Sequence, residues 1–319
     1  MKNIAILTSG GDAPGMNAAI RAVVRYALHQ GMKVFGIERG FAGLLDKKIT
    51  ELNARSVSNI MQRGGTILKT ARCPEFVNPE VQKQGVQILR DHGIDGIIVI
   101  GGDGSFMGAR ALSMHGFPAI GIPGTIDNDL PYTDYTIGFD TACNTVLEAI
   151  NKLRDTMESH DRVVIVEVMG RHCGDIALHT GICGGAEIII IPEVPFNINA
   201  ICKKLKENKA NGKLSGIVVL AEGVGCAEEF AEQIAKKTSM SVRSTVLGHM
   251  QRGGSPSVRD RFLGTSMGVH AVNILLKGAA NRIVGIKNGK FFDMDIIEGL
   301  NMKKKFNKDL YKMAGVISS

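Results

Sequence analysis

The 319-residue sequence predicts a mostly parallel α/β fold divided into two domains. Three observations carry this prediction. Short runs rich in Ile and Val recur along the chain and are apolar nearly throughout, as in strands buried on both faces of a parallel sheet. Helix-like stretches separate these runs, which predicts helices on both faces of the sheet. A chain of this length also suffices for two ordinary domains.

The predicted elements alternate along the chain. Strands are predicted at 3–8, 33–38, 95–100, 117–122, 162–168, 187–191 and 216–221. Helices are predicted at 15–30, 79–92, 140–158, 198–209, 227–237 and 258–277. In the first helix, Met16, Ile20, Val23 and Ala27 recur at helical spacing. No linker rich in Pro, Gly or Ser divides the chain, so the long helix at 140–158 is the predicted passage between the domains.

The composition excludes several classes of protein. The formal net charge is +7, but the basic residues are dispersed apart from Lys303–Lys305, so we do not expect a nucleic-acid function. No apolar run approaches the ~18 residues that a membrane span requires, and no signal peptide is expected. The six cysteines form no Cys-x-x-Cys pair, which favours reduced thiols and a cytoplasmic location. A positive potential suits small polyanionic substrates.

Glycine-rich segments follow two of the predicted strands, at the ends where open α/β sheets bind ligands. The first segment, Thr8–Asn17, leads into a helix whose free N–H groups would suit a phosphate. It matches neither a Walker A loop nor a Gly-x-Gly-x-x-Gly fingerprint, and a plain strand–helix turn is an open alternative. In the second segment, Gly101–Ser105, Asp103 offers one carboxylate to Mg²⁺. The alternative there is a glycine turn capped by Asp103.

A third segment, Pro123–Asp129, carries the carboxylates of Asp127 and Asp129. Residues i and i+2 project to the same side of an extended backbone. Phosphoryl transfer needs metal ions, cationic groups and a base for the hydroxyl proton. One carboxylate would be that base and the other would organise the metal's water ligands, although turns rich in Asp and Asn are also common.

Basic side chains at segment ends form a candidate anion-binding set, because arginine contacts phosphate through two N–H groups and stays charged. The members are Arg72, Arg162, Arg171, Arg243, Arg252 and, ambiguously, His249. Arg21 and Arg25 share one face of the first helix, which is either a solvated face or a second anion site. Two near-identical hexamers, Met61–Thr66 and Met250–Ser255, each read as a glycine turn beside an arginine.

Taken together, the motifs resemble the bacterial ATP-dependent members of the 6-phosphofructokinase family, over essentially the whole chain. Five matching segments occur in the family's order: Thr8–Asn17, Ile100–Ser105, Pro123–Asp129, Val168–Arg171 and Leu247–Gly254. The resemblance implies two Rossmann-like three-layer domains with mostly parallel sheets and an active site in the cleft between them. It implies a larger ATP-binding domain at 1–138 and 251–301, and a smaller sugar-phosphate-binding domain at 139–250 and 302–319.

The resemblance also implies a reaction, the transfer of the γ-phosphoryl group of Mg-ATP to the 1-hydroxyl of fructose 6-phosphate. Asp127 would be the general base and Asp103 the metal-binding residue. The implied catalytic residues are Asp127, Gly11, Arg72, Thr125, Asp129 and Arg171. The implied ATP-binding residues are Gly11, Arg72, Cys73, Gly102, Asp103, Gly104 and Ser105. The implied sugar-phosphate-binding residues are Thr125, Asp127, Arg162, Met169, Gly170, Arg171, Glu222, Arg243, His249 and Arg252.

The family further implies a homotetramer in which Arg162 and Arg243 reach the active site of a neighbouring subunit. It implies regulation by a nucleoside diphosphate and by phosphoenolpyruvate. The implied effector residues are Arg21, Arg25, Arg55, Arg154, Gly185, Glu187 and Lys213. The match is weaker here, because the family expects a basic residue near Ala54 and often one at Asn211. Weaker or altered regulation is therefore expected.

The phosphoryl donor is indicated by two glycines. Members that use pyrophosphate tend to carry an acidic residue where this chain has Gly104 and a lysine where it has Gly124. A side chain at position 104 would fill space that the ATP α-phosphate needs, so ATP is favoured. The alternatives are a pyrophosphate-dependent enzyme, another Gly-Gly-Asp-Gly kinase, and a non-catalytic sensor of phosphosugars or nucleotides. Such a sensor would be expected to lack Asp127 or Asp103, and both are present.

Overall fold

A computed structural model describes residues 1–318 and divides the chain into two compact units. Unit 1 comprises Met1–Ile126, Leu130–Thr141 and Arg252–Lys304. Unit 2 comprises Asp127–Asp129, Ala142–Gln251 and Lys305–Ser319. Residue 319, the last of the predicted smaller domain, lies outside the described residues.

Twelve strands and eleven α-helices lie within residues 1–318. The strands are β1 (Asn3–Thr8), β2 (Lys33–Ile37), β3 (Ile49–Leu52), β4 (Gly96–Gly101), β5 (Ala119–Thr125), β6 (Ile137–Gly138), β7 (Val163–Val168), β8 (Ile188–Ile190), β9 (Gly216–Ala221), β10 (Val242–Val246), β11 (Arg282–Lys287) and β12 (Lys290–Asp295). The helices are α1 (Met16–His29), α2 (Gly40–Leu45), α3 (Pro79–Asp91), α4 (Asp103–Met114), α5 (Phe139–Glu158), α6 (Asp175–Cys183), α7 (Ile198–Ala210), α8 (Ala227–Thr238), α9 (Val258–Leu276), α10 (Ile296–Leu300) and α11 (Lys308–Ile317). Short 3₁₀ helices span Pro74–Val77 and Gly248–Arg252. None of the helices in this described range is long and apolar enough to cross a bilayer.

Unit 1 is built on an eight-stranded sheet in the order β12-β11-β5-β4-β1-β2-β3, with β6 paired to β5. The central pairs are parallel, and only the edge strands β3 and β12 run antiparallel to their neighbours. Every residue of β4 is buried, as expected for a strand covered by helices on both faces. The carboxyl ends of β1, β4 and β5 therefore lie side by side at one edge of the sheet.

Helices α1 and α9 pack closely against each other in unit 1 because two glycines of α9 lack side chains. A Cβ at Gly264 would lie 2.8 Å from the carbonyl oxygen of Gly15. A Cβ at Gly268 would lie 2.9 Å from the carbonyl oxygen of Ala19. Real Cβ atoms are not found so close to backbone oxygens, so the two helices reach this separation only with glycine at both positions.

Unit 2 is built on a four-stranded parallel sheet in the order β10-β7-β9-β8. Its core joins β7 and β9 to α8 through Ile165, Val218, Leu220 and Phe230, all of them buried. Both sheets are mostly parallel and alternate with helices along the chain. The predicted fold, two Rossmann-like domains of this class, is confirmed.

The predicted elements correspond to observed ones, but several elements were not predicted. The unpredicted elements are β3, β6, β10, β11, β12, α2, α4, α6, α10 and α11. Edge strands such as β10 (VRSTV) are half-exposed and polar, so they lack the apolar run that marks a buried strand. Helix α4 begins with Asp, Gly and Ser, which favour turns over helices. Strand β5 extends to Thr125, so Pro123 and Gly124 lie in the strand and not in the loop that we predicted.

Candidate active site

The first glycine segment forms a tight turn between β1 and α1. Gly10 has a φ of 82°, and its carbonyl oxygen accepts a hydrogen bond from Thr70 Oγ1 at 2.6 Å. A Cβ at Gly11 would lie 2.5 Å from Nη1 of Arg252. The same Nη1 donates to the carbonyl oxygen of Asp12 at 3.3 Å. Arg252 thus lies against the backbone of this turn, and a side chain at position 11 would displace its guanidinium.

The glycine turns of the two near-identical hexamers pack against each other in unit 1. A Cβ at Gly64 would overlap the carbonyl oxygen of Gly254, so the two glycine turns are in direct backbone contact. Ser255 Oγ donates to the carbonyl oxygen of Gln62 at 2.8 Å. The buried Asn17 supports the first hexamer, because its side-chain amide donates to the carbonyl oxygen of Arg63 at 3.1 Å. The hexamers therefore brace the turn from which Arg252 extends.

The second glycine segment forms the start of α4, and its glycines differ in the space around them. Helix α4 begins at Asp103, an exposed carboxylate, with Gly102 as its N-cap. A Cβ at Gly101 would overlap Oγ of the buried Ser105. At Gly104, by contrast, no heavy atom of residues 1–318 outside the adjoining backbone of α4 lies within 4 Å of the Cβ position. Asp103 and Gly104 thus face open space at a helix N-terminus, where an anion is favoured.

The third segment begins at the end of β5. Thr125 is buried, and its carbonyl oxygen accepts from Thr136 Oγ1 at 2.6 Å. The short strand β6 pairs with this end of β5, so that Thr125 lies opposite Gly138. A Cβ at Gly124 would lie 2.8 Å from Cγ2 of Ile100. The backbone at Thr125 is held from both sides, and position 124 has no room for a side chain.

Asp127, Asn128 and Asp129 form a turn that belongs to unit 2. Asp127 is 3% exposed. Asn128 has a φ of 51°, and its side-chain amide donates to Asp175 Oδ2 at 2.9 Å. The backbone of Asn128 is in the left-handed region, so the segment is not extended. The condition under which Asp127 and Asp129 would project to the same side is therefore not met. Asp129 Oδ2 lies 3.3 Å from Nη1 of Arg171 in an ion pair.

The loop after β7 carries Met169, Gly170 and Arg171, and one carboxylate holds its backbone. Glu222 Oε1 accepts from the N–H of Gly170 at 3.2 Å and from that of Arg171 at 2.8 Å. Gly170 has a φ of 137° and Arg171 a φ of 54°, so this loop needs such support. Glu222 therefore orients the loop that the resemblance assigns to the sugar.

Sequence reasoning missed Gln251, which is 0% exposed. Its Oε1 accepts from the N–H of Met169 at 3.1 Å, and its Nε2 donates to the carbonyl oxygen of Gly248 at 3.0 Å. The glutamine thus ties the loop after β7 to the 3₁₀ helix that carries the exposed His249. Without these two hydrogen bonds, the buried polar atoms of the Gln251 side chain would lack partners, which is unfavourable. A glutamine beside an arginine gave no sequence signal of this role.

Arg162 and Arg243 lie near the amino ends of the unit 2 strands, whereas the loop after β7 lies at their carboxyl ends. Arg162 precedes the first residue of β7, and Arg243 of β10 pairs with Val164. Met169 follows the last residue of β7, so the strand separates it from Arg162 by about 23 Å. Within one chain, these two arginines and the loop at Met169 do not share a ligand of hexose size.

Arg72 and Cys73 precede the 3₁₀ helix Pro74–Val77 in unit 1. Arg72 is exposed and Cys73 is half-buried. Burial, together with the nearby Glu75, raises the pKa of the Cys73 thiol to about 11. The thiol is therefore protonated at neutral pH, and it offers a small neutral surface and not a nucleophile.

Four of the predicted effector residues come together in unit 2 around Glu187, whose side chain is 1% exposed. Lys213 Nζ lies 3.0 Å and Arg154 Nη1 3.9 Å from Glu187 Oε1. Arg154 Nη2 also donates to the carbonyl oxygen of Gly185 at 2.9 Å. The buried carboxylate thus engages both cations.

The other three predicted effector residues belong to unit 1. Arg21 and Arg25 lie on α1, and Arg55 lies in the loop after β3. Arg25 Nη2 donates to the carbonyl oxygen of Ala54 at 3.5 Å, so the helix and the loop are neighbours. Arg25 and Arg55 are exposed, as anion-binding side chains must be.

The family model described as "Phosphofructokinase" matches residues 3–275 of the chain. The chain belongs to the phosphofructokinase family. The predicted resemblance is therefore confirmed, and the protein is a phosphotransferase.

Individual phosphofructokinases are similar over the full length of the chain. The ATP-dependent 6-phosphofructokinase of Clostridium acetobutylicum is 59% identical over 318 residues, which covers 100% of both chains. A solved phosphofructokinase structure from Saccharomyces cerevisiae has a TM-score of 0.88 and 33% identity over 99% of this chain. This chain spans 47% of that yeast chain.

A pyrophosphate-dependent phosphofructokinase from Marinobacter aquaeolei is also a structural neighbour. Its solved structure has a TM-score of 0.86 and covers 100% of this chain and 92% of its own, at 23% identity. Identity this low supports the shared fold and does not distinguish the phosphoryl donor.

Proposed function

We propose that this phosphofructokinase is an ATP-dependent 6-phosphofructokinase. It transfers the γ-phosphoryl group of ATP to the 1-hydroxyl of fructose 6-phosphate and forms fructose 1,6-bisphosphate and ADP, a step of glycolysis. The observation that carries the proposal is the open space around Gly104 at the start of α4. The printed name of the Clostridium acetobutylicum relative, which is ATP-dependent, supports it.

The two glycines that distinguish the donors differ in what they do. Gly104 leaves space beside the N-terminus of α4, where the additional phosphate and the nucleoside of ATP can be placed. Gly124 has the opposite environment, because Ile100 and Met16 occupy the place of a side chain. The lysine that the resemblance associates with pyrophosphate use would therefore require repacking of the core beneath β5.

The chemical steps follow from the groups in each unit. Asp127, a buried carboxylate, accepts the proton of the 1-hydroxyl as that oxygen attacks phosphorus. Thr125 and the backbone of Gly11 bind the transferring phosphoryl group, and the Arg72 guanidinium offsets its charge. The ion pair between Asp129 and Arg171 orients both side chains. Gly102, Ser105 and Cys73 complete the proposed ATP-binding residues.

The sugar-phosphate residues follow the resemblance. Met169, Gly170, Arg171 and Glu222 contact the sugar, and His249 and Arg252 contact the 6-phosphate. Arg252 lies against Gly11 in unit 1, so the same guanidinium is adjacent to the turn that binds the transferring group. Arginine suits this position because its several N–H groups can serve a phosphate and a carbonyl oxygen together.

The residues around Asp103 suit a magnesium ion. Asp103 offers an exposed carboxylate beside open space at Gly104, and Mg²⁺ takes one or two protein carboxylates together with phosphate oxygens and water. Asp103 would hold the ion, with Asp129 as a second carboxylate through water. When bound, magnesium neutralises charge on the phosphate oxygens of ATP.

The proposed function is tested by the initial rate of fructose 1,6-bisphosphate formation from fructose 6-phosphate and Mg²⁺, with ATP and pyrophosphate as separate donors. Turnover with ATP alone is the expected result. Turnover with pyrophosphate alone would retain the Asp127 chemistry and overturn the donor. Turnover with neither would favour a non-catalytic sensor of phosphosugars, which isothermal titration with fructose 6-phosphate would detect.

The positions of Arg162 and Arg243 support the homotetramer that the resemblance implies. Along the sheet, Arg162 lies about 23 Å from Met169, and Arg243, which pairs with Val164, lies about 17 Å from it. At these distances the two arginines are proposed to serve a sugar-phosphate site on another subunit. Arg243 is exposed on an edge strand that pairs on one side only with β7. We therefore assign both arginines to the 6-phosphate of a neighbouring subunit.

Mixing two defective variants tests this assignment across subunits. Asp127→Ser and Arg243→Ala are each expected to be nearly inactive at limiting fructose 6-phosphate. If they are unfolded and refolded together, some sites combine an intact Asp127 with an intact Arg243 from a neighbour, and activity is expected to return. Mixing either variant with itself is the control. No recovery in verified mixed oligomers would place Arg243 outside the neighbour's site.

The effector residues are proposed to bind a nucleoside diphosphate and phosphoenolpyruvate. The cations Arg154 and Lys213 suit phosphate groups, as do Arg21, Arg25 and Arg55 of unit 1. Because Asn211 stands where the family often has a basic residue, this set has one positive charge fewer.

The cytoplasmic location of this phosphofructokinase stays a prediction.

A further inference from the structure

Asp260 is a buried carboxylate that the proposed mechanism does not use. It lies in the first turn of α9 and is 0% exposed. One carboxylate oxygen accepts from the N–H of Gly138 at 2.8 Å. The other accepts from the N–H of Thr141 at 2.8 Å and from Thr141 Oγ1 at 2.5 Å. Three donors thus converge on a single side chain in the interior of unit 1.

The sequence around Asp260 would predict a different role. Ser257 and Asp260 have the spacing of a capping box, in which the second side chain returns to the N–H of the first. Ser257 Oγ does accept from the N–H of Asp260 at 3.2 Å and caps α9. The N–H of Ser257, however, donates to Thr141 Oγ1 at 2.9 Å. The carboxylate of Asp260 is therefore free to cap α5, whose preceding residue, Gly138, has no side chain.

The cap of α5 adjoins the carboxyl end of β5, the strand that ends at Thr125. Strand β6 has only two residues, and its Gly138 pairs with Thr125 of β5. The first glycine segment meets the same point, because a Cβ at Gly138 would lie 2.6 Å from Cβ of Ala13. A Cβ at Gly15 would lie 3.2 Å from Cβ of Asp260. Asp260 therefore joins α9, α5, β6 and the first glycine turn.

Burying the carboxylate of Asp260 costs more free energy than burying a neutral capping side chain would. Burial raises the pKa of its carboxyl, although the three hydrogen bonds that it accepts act in the opposite direction. A neutral side chain would cap α5 without the cost of burying a charge. What a carboxylate adds is two acceptor oxygens in a fixed plane, which hold Gly138 and Thr141 at the same time.

We infer that Asp260 is a positioning residue for phosphoryl transfer, which fixes the backbone at Thr125 and at the first glycine turn through Gly138. This inference rests on the proposed function. The reacting groups must be held to within a fraction of an ångström, and a displacement of about 1 Å costs on the order of 10²-fold in rate. Loss of the Asp260 acceptors is therefore expected to lower kcat, with smaller effects on the KM values.

The test compares Asp260→Asn with Ser257→Ala in the ATP assay, well below the melting temperature of both variants. An asparagine keeps the size but presents an NH₂ group to one of the donors, so kcat is expected to fall on the order of 10²-fold. Ser257→Ala removes the cap of α9 only, so it lowers the Tm while kcat is unchanged. If Asp260→Asn does not fold, Thr141→Val, which removes one donor, carries the test with a smaller fall in kcat.

The outcomes separate this inference from the proposed function. A wild-type protein that does not turn over with ATP overturns the proposed function. An active wild type with an unchanged kcat in Asp260→Asn, or with equal losses in Asp260→Asn and Ser257→Ala, overturns the positioning role alone. A loss of kcat in Asp260→Asn at unchanged KM, with Ser257→Ala at wild-type kcat, supports it.

Discussion

Replacing Asp127 by serine is expected to lower kcat by roughly 10³- to 10⁴-fold. The carboxylate is 3% exposed and is proposed to take the proton of the attacking hydroxyl. Serine does not accept that proton at neutral pH, so the hydroxyl must attack without a base. The sugar phosphate is proposed to be held chiefly through its 6-phosphate and ring, so its dissociation constant is expected to change little.

Two measurements check this prediction. The rate of fructose 1,6-bisphosphate formation gives kcat, and isothermal titration gives the dissociation constant of fructose 6-phosphate. Asp134→Ser is the matched control, because Asp134 is an exposed carboxylate that accepts from the N–H of Asn288 at 2.7 Å. It should keep wild-type turnover. Full activity of Asp127→Ser would remove Asp127 from the role of base.

Replacing Gly104 by aspartate is expected to lower kcat/KM for ATP on the order of 10²-fold. The new carboxylate would stand in the open space that we assign to the ATP phosphates. Two like charges ~5 Å apart at an effective dielectric constant of ~20 repel by about 3 kcal/mol, which corresponds to that factor. The KM for fructose 6-phosphate is expected to be unaffected, because Gly104, at the start of α4, is proposed to contact only ATP.

Gly104→Ala distinguishes charge from volume. A Cβ at this position meets no heavy atom within 4 Å, and alanine is favourable in a helix, so the fold is expected to be at least as stable. Activity with ATP close to the wild-type level would attribute the loss in Gly104→Asp to charge. If Gly104→Asp turned over ATP normally, the space around Gly104 would not be the ATP site.

The fold was predictable where the apolar pattern of the local sequence matched the burial of the element in the structure. The runs at β1, β4 and β9 are apolar because both faces of these strands are covered, so their pattern alone identifies them. The same reasoning missed β10, an edge strand with polar side chains, and α4, whose first residues favour turns. In both cases the tertiary environment outweighs local propensity.

The candidate site was predictable to a more limited degree. Asp103 could be selected because it follows an apolar run, whereas Gly104 and Gly124 were selected from the resemblance to the phosphofructokinase family. Gln251 and Asp260 could not, since their hydrogen-bond partners lie 82 and about 120 positions away in the chain. A buried polar residue has no local signature when its partners come from another element.

The proposed contribution of Arg162 and Arg243 to the site of a neighbouring subunit has a thermodynamic consequence. A sugar phosphate that needs arginines from two subunits binds only to the assembled protein. By linkage, such a ligand favours assembly, and the midpoint for dissociation on dilution moves to lower protein concentration as its level rises. Substrate binding and subunit assembly would then be coupled equilibria. At a low concentration of sugar phosphate, a smaller fraction of the protein would be assembled.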